Sequence, residues 1–405
     1  QNTGIGKFAL SSNTTADNNT AVGVCSLYAN TTGTGLAAVG FRALAANTCG
    51  AVNTGLGFNA LQTNTTGDHN TASGYRALYV NTTGDCNTAF GSLALCANTT
   101  ACNNTGVGTL SLANNTTGII NTAVGAKAMC ATTTGTRNTA VGRSALALNT
   151  SGSCNTGLGY LALNKNTTAC LNTAVGSHSL YKNTTACFNT AVGACSLYAN
   201  TTGTCNTAIG ACALESNTTG SINTAIGHQT LTSNTTGRYN TAVASWRALY
   251  CNTTGGCNTA LGHGAMCFTT TAEGNTATGF VAMRNNTTGQ FNAAYGFCAL
   301  YANTTGPNNN AFGMCALRSN ETGDSNQAFG RAALGSNTSG CYNDAVGFAA
   351  LCSNTTGCFN TAIASSSVRD NTTGCFNIGI GYASLRCNST ACRNTAVGAC
   401  TLFAN

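Results

Sequence analysis

The chain has 405 residues but only 16 Lys and Arg and 9 Asp and Glu, alongside 49 Gly, one Pro and 24 Cys. That charge content is far below the roughly 25% usual for soluble domains. The basic residues behind the net charge of +7 are scattered, with no run to follow a phosphate backbone, so no nucleic-acid partner is expected. No stretch approaches the ~18 consecutive apolar residues of a membrane span, and no charged-then-apolar leader stands at Gln1, so a secretion signal is expected to be removed or to lie outside this sequence.

A fixed period organises everything else. Segments like Asn-Thr-Ala-Val-Gly begin at Asn2, Asn19, Leu36, Asn53 and Asn70, recur every 17 residues to Asn240, and resume from Asn258 to Asn394. One residue is inserted near Ser245-Trp246-Arg247. The consensus Asn-Thr-Ala-Val-Gly-x-x-Ala-Leu-x-x-Asn-Thr-Thr-Gly-x-x gives 24 copies, so residues 1–405 read as a single array with no separate domain. Gln1 is the seventeenth position of a preceding unit and Asn405 the twelfth of the last. No polar cap is visible at either end, which suggests either a window cut from a longer array or subunits that stack end to end, and end-to-end self-association is the partnership expected.

Within each copy the positions take physical tasks. The ninth is Leu, Met or Val throughout, as in Leu10, Leu27, Met129 and Val368, and is expected to point inward. The fourth is apolar in nearly all copies (Ile5, Val22, Phe90, Val243, Tyr295, Phe312) and is expected to supply a second core stripe, with two short strands per coil. Small residues at positions three and eight imply a narrow bore, and Gly at position five, with Ala244 and Ala364 as exceptions, marks a corner. Apolar stripes five and twelve residues apart do not fit a 3.6-residue helix. The fold expected is all-β, a parallel β-solenoid of 24 stacked 17-residue coils.

Position twelve is Asn except at Thr132 and Thr269, and in 20 copies it opens an Asn-x-Thr/Ser sequon. These asparagines are Asn13, Asn30, Asn64, Asn81, Asn98, Asn115, Asn149, Asn166, Asn183, Asn200, Asn217, Asn234, Asn252, Asn286, Asn303, Asn320, Asn337, Asn354, Asn371 and Asn388. One reading makes them N-glycan acceptors, with covalent sugar supplying the solubility that so few charges do not. The other makes them an internal amide ladder running from coil to coil. Position one, equally rich in Asn but mostly outside any sequon, and the persistence of Thr134 and Thr271 beside the two missing asparagines both favour the ladder.

So many cysteines without zinc-like Cys-x-x-Cys pairs point to an oxidising, extracellular or cell- or virion-surface setting. Pairs about one coil apart are disulfide candidates: Cys86 with Cys102, Cys154 with Cys170, Cys187 with Cys205, Cys195 with Cys212, Cys251 with Cys267, Cys298 with Cys315, Cys341 with Cys358, and Cys375 with Cys392. Pairing across one coil's turn, as in Cys352 with Cys358 or Cys96 with Cys102, stays open. The carboxylates are singletons, His69, His178, His228 and His263 are far apart, and no His recurs beside a Cys, so no catalytic, cofactor or metal residue is expected and the chain reads as a non-enzyme. Tyrosines at position ten (Tyr28, Tyr79, Tyr181, Tyr198, Tyr250, Tyr301) form a broken stripe suited to turn packing, or to contact with sugar or a sister chain.

The Asn-Thr-Ala-Val-Gly segments, such as Asn121 to Gly125 and Asn394 to Gly398, resemble the head repeats of YadA-like trimeric autotransporter adhesins and the β-solenoid repeats of phage and viral tail fibres. That resemblance implies a left-handed parallel β-roll, trimeric in the adhesins, serving attachment. Together these readings suggest a structural subunit of an extracellular fibre or filament, disulfide-stapled and sugar-coated in its fullest form. The alternatives are an adhesin or tail-fibre shaft that binds host surface glycans, and an ice-binding solenoid whose Thr ladders order water.

Overall fold

The computed structural model describes residues 1–404, and Asn405, the expected twelfth position of the last copy, lies outside the described residues. The fold is all-β: 24 short strands, β1 (Thr3–Ile5) to β24 (Thr395–Val397) in chain order, recur at the 17-residue period, with no helix among the described residues. They belong to two compact units, Gln1–Thr202 and Gly203–Asn405.

In the first unit, β1 pairs in parallel with β2 (Thr20–Val22), placing Thr3, Gly4 and Ile5 opposite Thr20, Ala21 and Val22. The same in-register step continues through β12 (Thr190–Val192). The second unit repeats the scheme from β13 (Thr207–Ile209) to β24. Hydrogen bonding between coils extends well beyond the strands. In the first coils Leu10 N donates to Ser26 O (3.1 Å), Ser12 N to Tyr28 O (3.1 Å), and Cys25 N back to Lys7 O (3.0 Å). Within a coil two tight turns close the path, Ala9 N to Gly6 O and Asn13 N to Leu10 O, each at 3.2 Å. A coil therefore satisfies most of its backbone only through its neighbours, which is why stacking and not any single coil carries stability.

The core confirms the inward ninth position and the small third and eighth: Ala38, Ala43 and Leu44 of one coil are fully buried, as are Ala72, Ala77 and Leu78 two coils on. A Cβ built on Gly55, at position three, already lies 3.3 Å from Leu44, so the bore admits nothing much larger than Ala there.

Two expectations are corrected. Each coil has one strand, of three residues outside the region of the inserted residue, not two. Position four does not form a core stripe: Ile5 is 60% exposed, Phe90 48% and Val346 43%, and Val22, Phe312, Val243 and Tyr295 are likewise half-buried or exposed. The reason is strand alternation, since the buried residue at position three forces its neighbour outward. The ninth position, expected in a second strand, sits between the two turns with a left-handed backbone (Leu44 φ 49°, Leu61 φ 50°), as do the seventh and seventeenth. Even β-branched residues such as Val52 and Val368 are held there (φ 56° and 49°). The conformation costs about 1–2 kcal/mol per residue and persists because hydrogen bonds from both neighbouring coils fix it.

The inserted residue acts locally. β14 (Thr224–His228) and β15 (Thr241–Trp246) lengthen to 5 and 6 residues, and a bulge places His228 opposite Trp246 before the regular register resumes with β16 (Thr259–Leu261).

Candidate functional site

Two asparagine columns meet at one corner. At position twelve, Asn64 Nδ2 donates to Asn47 Oδ1 (2.9 Å) and to its own coil's Gly67 O (2.9 Å), and its Oδ1 accepts from Asn81 Nδ2 (2.8 Å). At position one, Asn70 N donates to Asn53 Oδ1 (2.8 Å) while Asn53 Nδ2 donates to Gly67 O (2.7 Å). The corner carbonyl thus accepts from both columns, which explains why Asn dominates both positions and why a minimal residue stands between them. Of the 20 sequon asparagines, 19 are fully buried and Asn13 is half-buried. The threonine that follows most of them, at position thirteen, extends the ladder with its own hydroxyl, as when Thr65 Oγ1 donates to Thr82 O at 3.0 Å.

The two natural substitutions show what the ladder supplies. Thr132 and Thr269 have no amide to offer, and Asn115 Oδ1 and Asn252 Oδ1, one coil before them, are buried without a hydrogen-bond partner; so are the Oγ1 atoms of both threonines. Restoring the amide with Thr132→Asn or Thr269→Asn is expected to stabilise the chain by about 1–2 kcal/mol each, read as a higher urea midpoint.

Position sixteen is an acceptor column that sequence reasoning missed. Where the next coil carries Asp, Ser or Cys at this position, its side chain accepts the backbone N–H of the residue one coil before: Ala51 N donates to Asp68 Oδ1 (2.6 Å), Asp68 N to Asp85 Oδ1 (2.8 Å), Asp85 N to Cys102 Sγ (3.2 Å) and Thr136 N to Ser153 Oγ (3.0 Å). Cys341, Cys358, Cys375 and Cys392 make an unbroken run, each sulfur accepting an N–H from the coil before at 3.1–3.3 Å. The common signal is a short side chain with a lone pair, Asp, Ser or Cys, at one repeat position.

This register sorts the cysteine pairs read from the sequence, and Cys86, Cys102, Cys154, Cys170, Cys251, Cys267, Cys298, Cys315, Cys341, Cys358, Cys375 and Cys392 are all thiols in the structure. Cys102 stands over Asp85 rather than over Cys86, Cys170 over Ser153 rather than over Cys154, and Cys251 is offset from Cys267, whose carbonyl accepts its N–H at 3.0 Å. Cys298 with Cys315, Cys341 with Cys358, and Cys375 with Cys392 occupy matching positions in successive coils. Cys187 with Cys205 and Cys195 with Cys212 each have one member in either unit.

Burial pushes the thiols of Cys96, Cys130, Cys267 and Cys352 above the ordinary range. Two of them also donate to carbonyls, Cys96 Sγ to Ala113 O (3.3 Å) and Cys130 Sγ to Ala147 O (3.4 Å). Because the folded values are raised, the stability these thiols confer is present below the ordinary thiol value of about 8.5 and is lost as pH climbs through the raised ones. At pH 8, iodoacetamide followed by peptide mass mapping is expected to label exposed Cys49 and Cys86 at least about tenfold faster than these four.

Outward positions carry aromatic columns. Phe41, Phe58 and Tyr75 stack at position six of the first unit with centroids 5.1 and 5.7 Å apart. In the second unit Tyr295, Phe312 and Phe329 stack at position four (4.6 and 4.9 Å), and Tyr342, Phe359 and Phe376 at position seventeen (5.0 Å each). Of the position-ten tyrosines, Tyr181 and Tyr198 stack at 5.3 Å, whereas Tyr250 and Tyr301 face a groove beside the inserted residue.

That groove lies wholly in the second unit. One wall is Trp246, His263 and Phe280, stacked at 5.2 and 5.0 Å; the other is formed by Tyr250, Arg284 and Tyr301; Gly264 and Val281 are among the residues between them. Arg247 lies over Trp246 and Tyr250, 4.3 and 4.6 Å from their ring centroids, and its Nε donates to Gln229 Oε1 at 2.9 Å. His228 and His263 share a column but Trp246 intervenes, and among the described residues no three His, Cys, Asp or Glu side chains gather as a metal site.

Searches against known protein families and against curated proteins found no match to this chain.

Proposed function

We propose that this protein is a structural element of an extracellular fibre or filament, a solenoid without enzymatic activity whose coils provide stiffness and length. The observation that carries the reading is the repetition of the buried columns: side chains at positions one, three, eight, nine and twelve recur in register through each unit, and those at position twelve are tied by an amide ladder at 2.8–3.1 Å that is interrupted at Thr132 and Thr269. Such a stack resists bending because any tilt between coils stretches several hydrogen bonds at once.

Burial of position twelve supports the ladder over the glycan, since in the folded chain the Nδ2 that a sugar would occupy donates two hydrogen bonds. Position-thirteen hydroxyls are likewise committed to carbonyls, as from Thr65 Oγ1 to Thr82 O. In an oxidising setting Cys298–Cys315, Cys341–Cys358 and Cys375–Cys392 are the pairs whose register suits stapling of successive coils.

Electron microscopy of the purified chain tests the reading. Slender particles or filaments of constant width are expected, and compact, monodisperse globules would contradict it.

A further inference from the structure

The fold makes no use of the groove beside the inserted residue, and its chemistry is specific. We propose that this groove is a binding site for an acidic saccharide, a short carbohydrate bearing carboxylate or sulfate groups.

The space arises from the sequence. Position seven carries Arg76 or Leu93 elsewhere in the array, but Gly264 stands there in this coil and leaves the room open. Three arginines, Arg247, Arg284 and Arg318, line the groove, and no described carboxylate forms an ion pair with any of them. Arg284 Nε and His263 Nδ1 are buried without a hydrogen-bond partner. Burying such groups unpaired is costly, and an anion with adjacent hydroxyls would relieve both. Arginine holds carboxylate and sulfate oxygens through paired N–H donors.

The walls favour carbohydrate. Tyr250 and Tyr301 offer hydroxyls, while Phe280 and Val281 offer apolar surface to the C–H face of a sugar ring. From Trp246 to Arg318 the groove follows about four coil spacings, roughly 19 Å, a span suited to a tri- or tetrasaccharide. Nucleic acid fits less well: the rings of His263 and Phe280 stack on their column neighbours at 5.0–5.6 Å, leaving edges rather than open faces for bases.

Calorimetric titration of the full chain with a sulfated hexasaccharide, a trigalacturonate, neutral maltohexaose and an eight-nucleotide oligothymidylate tests this. Saturable binding of one sulfated or uronate saccharide per chain is expected, at least about tenfold tighter than maltohexaose. The sulfated and uronate arms identify which anion is preferred. Arg284→Gln and Gly264→Leu are each expected to weaken binding about tenfold or more. Gly264→Leu refills the groove and presses on Val281, so if that variant does not fold, Arg284→Gln at the half-buried groove wall decides. Equal affinity for the neutral sugar, tighter binding of the oligothymidylate, no effect of Arg284→Gln, or no saturable binding of either acidic saccharide would overturn the proposal.

Discussion

Asn337→Leu is expected to lower the stability of the second unit by about 2–4 kcal/mol. Asn337 Nδ2 donates to Asn320 Oδ1 (2.8 Å) and Gly340 O (2.9 Å), and its Oδ1 accepts from Asn354 Nδ2 (2.8 Å). Leucine keeps the branched shape but its methyl groups are bulkier than the amide's oxygen and nitrogen, so a polar loss is joined by some overpacking. Gly340 O keeps Asn326 Nδ2 (2.8 Å) and Asn354 Nδ2 keeps Gly357 O (2.9 Å), but Asn320 Oδ1 is left buried and unpaired. Asn337→Thr, which copies the residues at positions 132 and 269, is expected to cost less than leucine because its hydroxyl keeps a polar group in the column. Urea unfolding followed by far-ultraviolet circular dichroism checks both, and unchanged midpoints would show that the amide ladder is dispensable.

Gly313→Ala should be comparably damaging, at about 2–4 kcal/mol from combined strain and overpacking. Gly313 has φ +136°, and a Cβ there would lie 2.7 Å from the backbone carbonyl carbon and oxygen of Gly330 in the next coil. The chain contains its own comparison at Ala364, where φ falls to 99° while the glycines at the same position on either side, Gly347 and Gly381, hold 132° and 122°. The converse change, Ala364→Gly, is therefore expected to raise stability by about 1 kcal/mol. Thermal unfolding of both variants measures the pair. A stabilising Gly313→Ala would mean that backbone approach at this corner does not limit the stack.

The repeat length, the parallel stacking, the inward ninth position and the small third and eighth were all legible, because each rests on a period that a 17-residue ruler exposes. Orientation at position four was not. Val22 or Phe312 looks like core by composition, and only the burial of the neighbouring Ala21 or Ala311 reveals that the strand turns these residues outward. The left-handed backbone at Leu44 or Val52 was equally hidden, since neither residue type favours it and tertiary hydrogen bonds impose it. The acceptor column that includes Asp68, Cys102 and Ser153 escaped notice because three residue types share one role. Its cysteines read as half of a staple when their nearest partner is a backbone N–H. Around Trp246 the insertion was visible, but not the groove, whose walls come from three other coils.

Methyl–methyl nuclear Overhauser contacts in leucine-labelled protein probe the stacking most directly. Leu61 should show cross-peaks to Leu44 and Leu78 alone among the leucines of position nine, and Leu78 to Leu61 and Leu95, stepping one coil at a time. Contacts between leucines at other separations, or helical amide patterns, would contradict the stacked-coil architecture on which every assignment above depends.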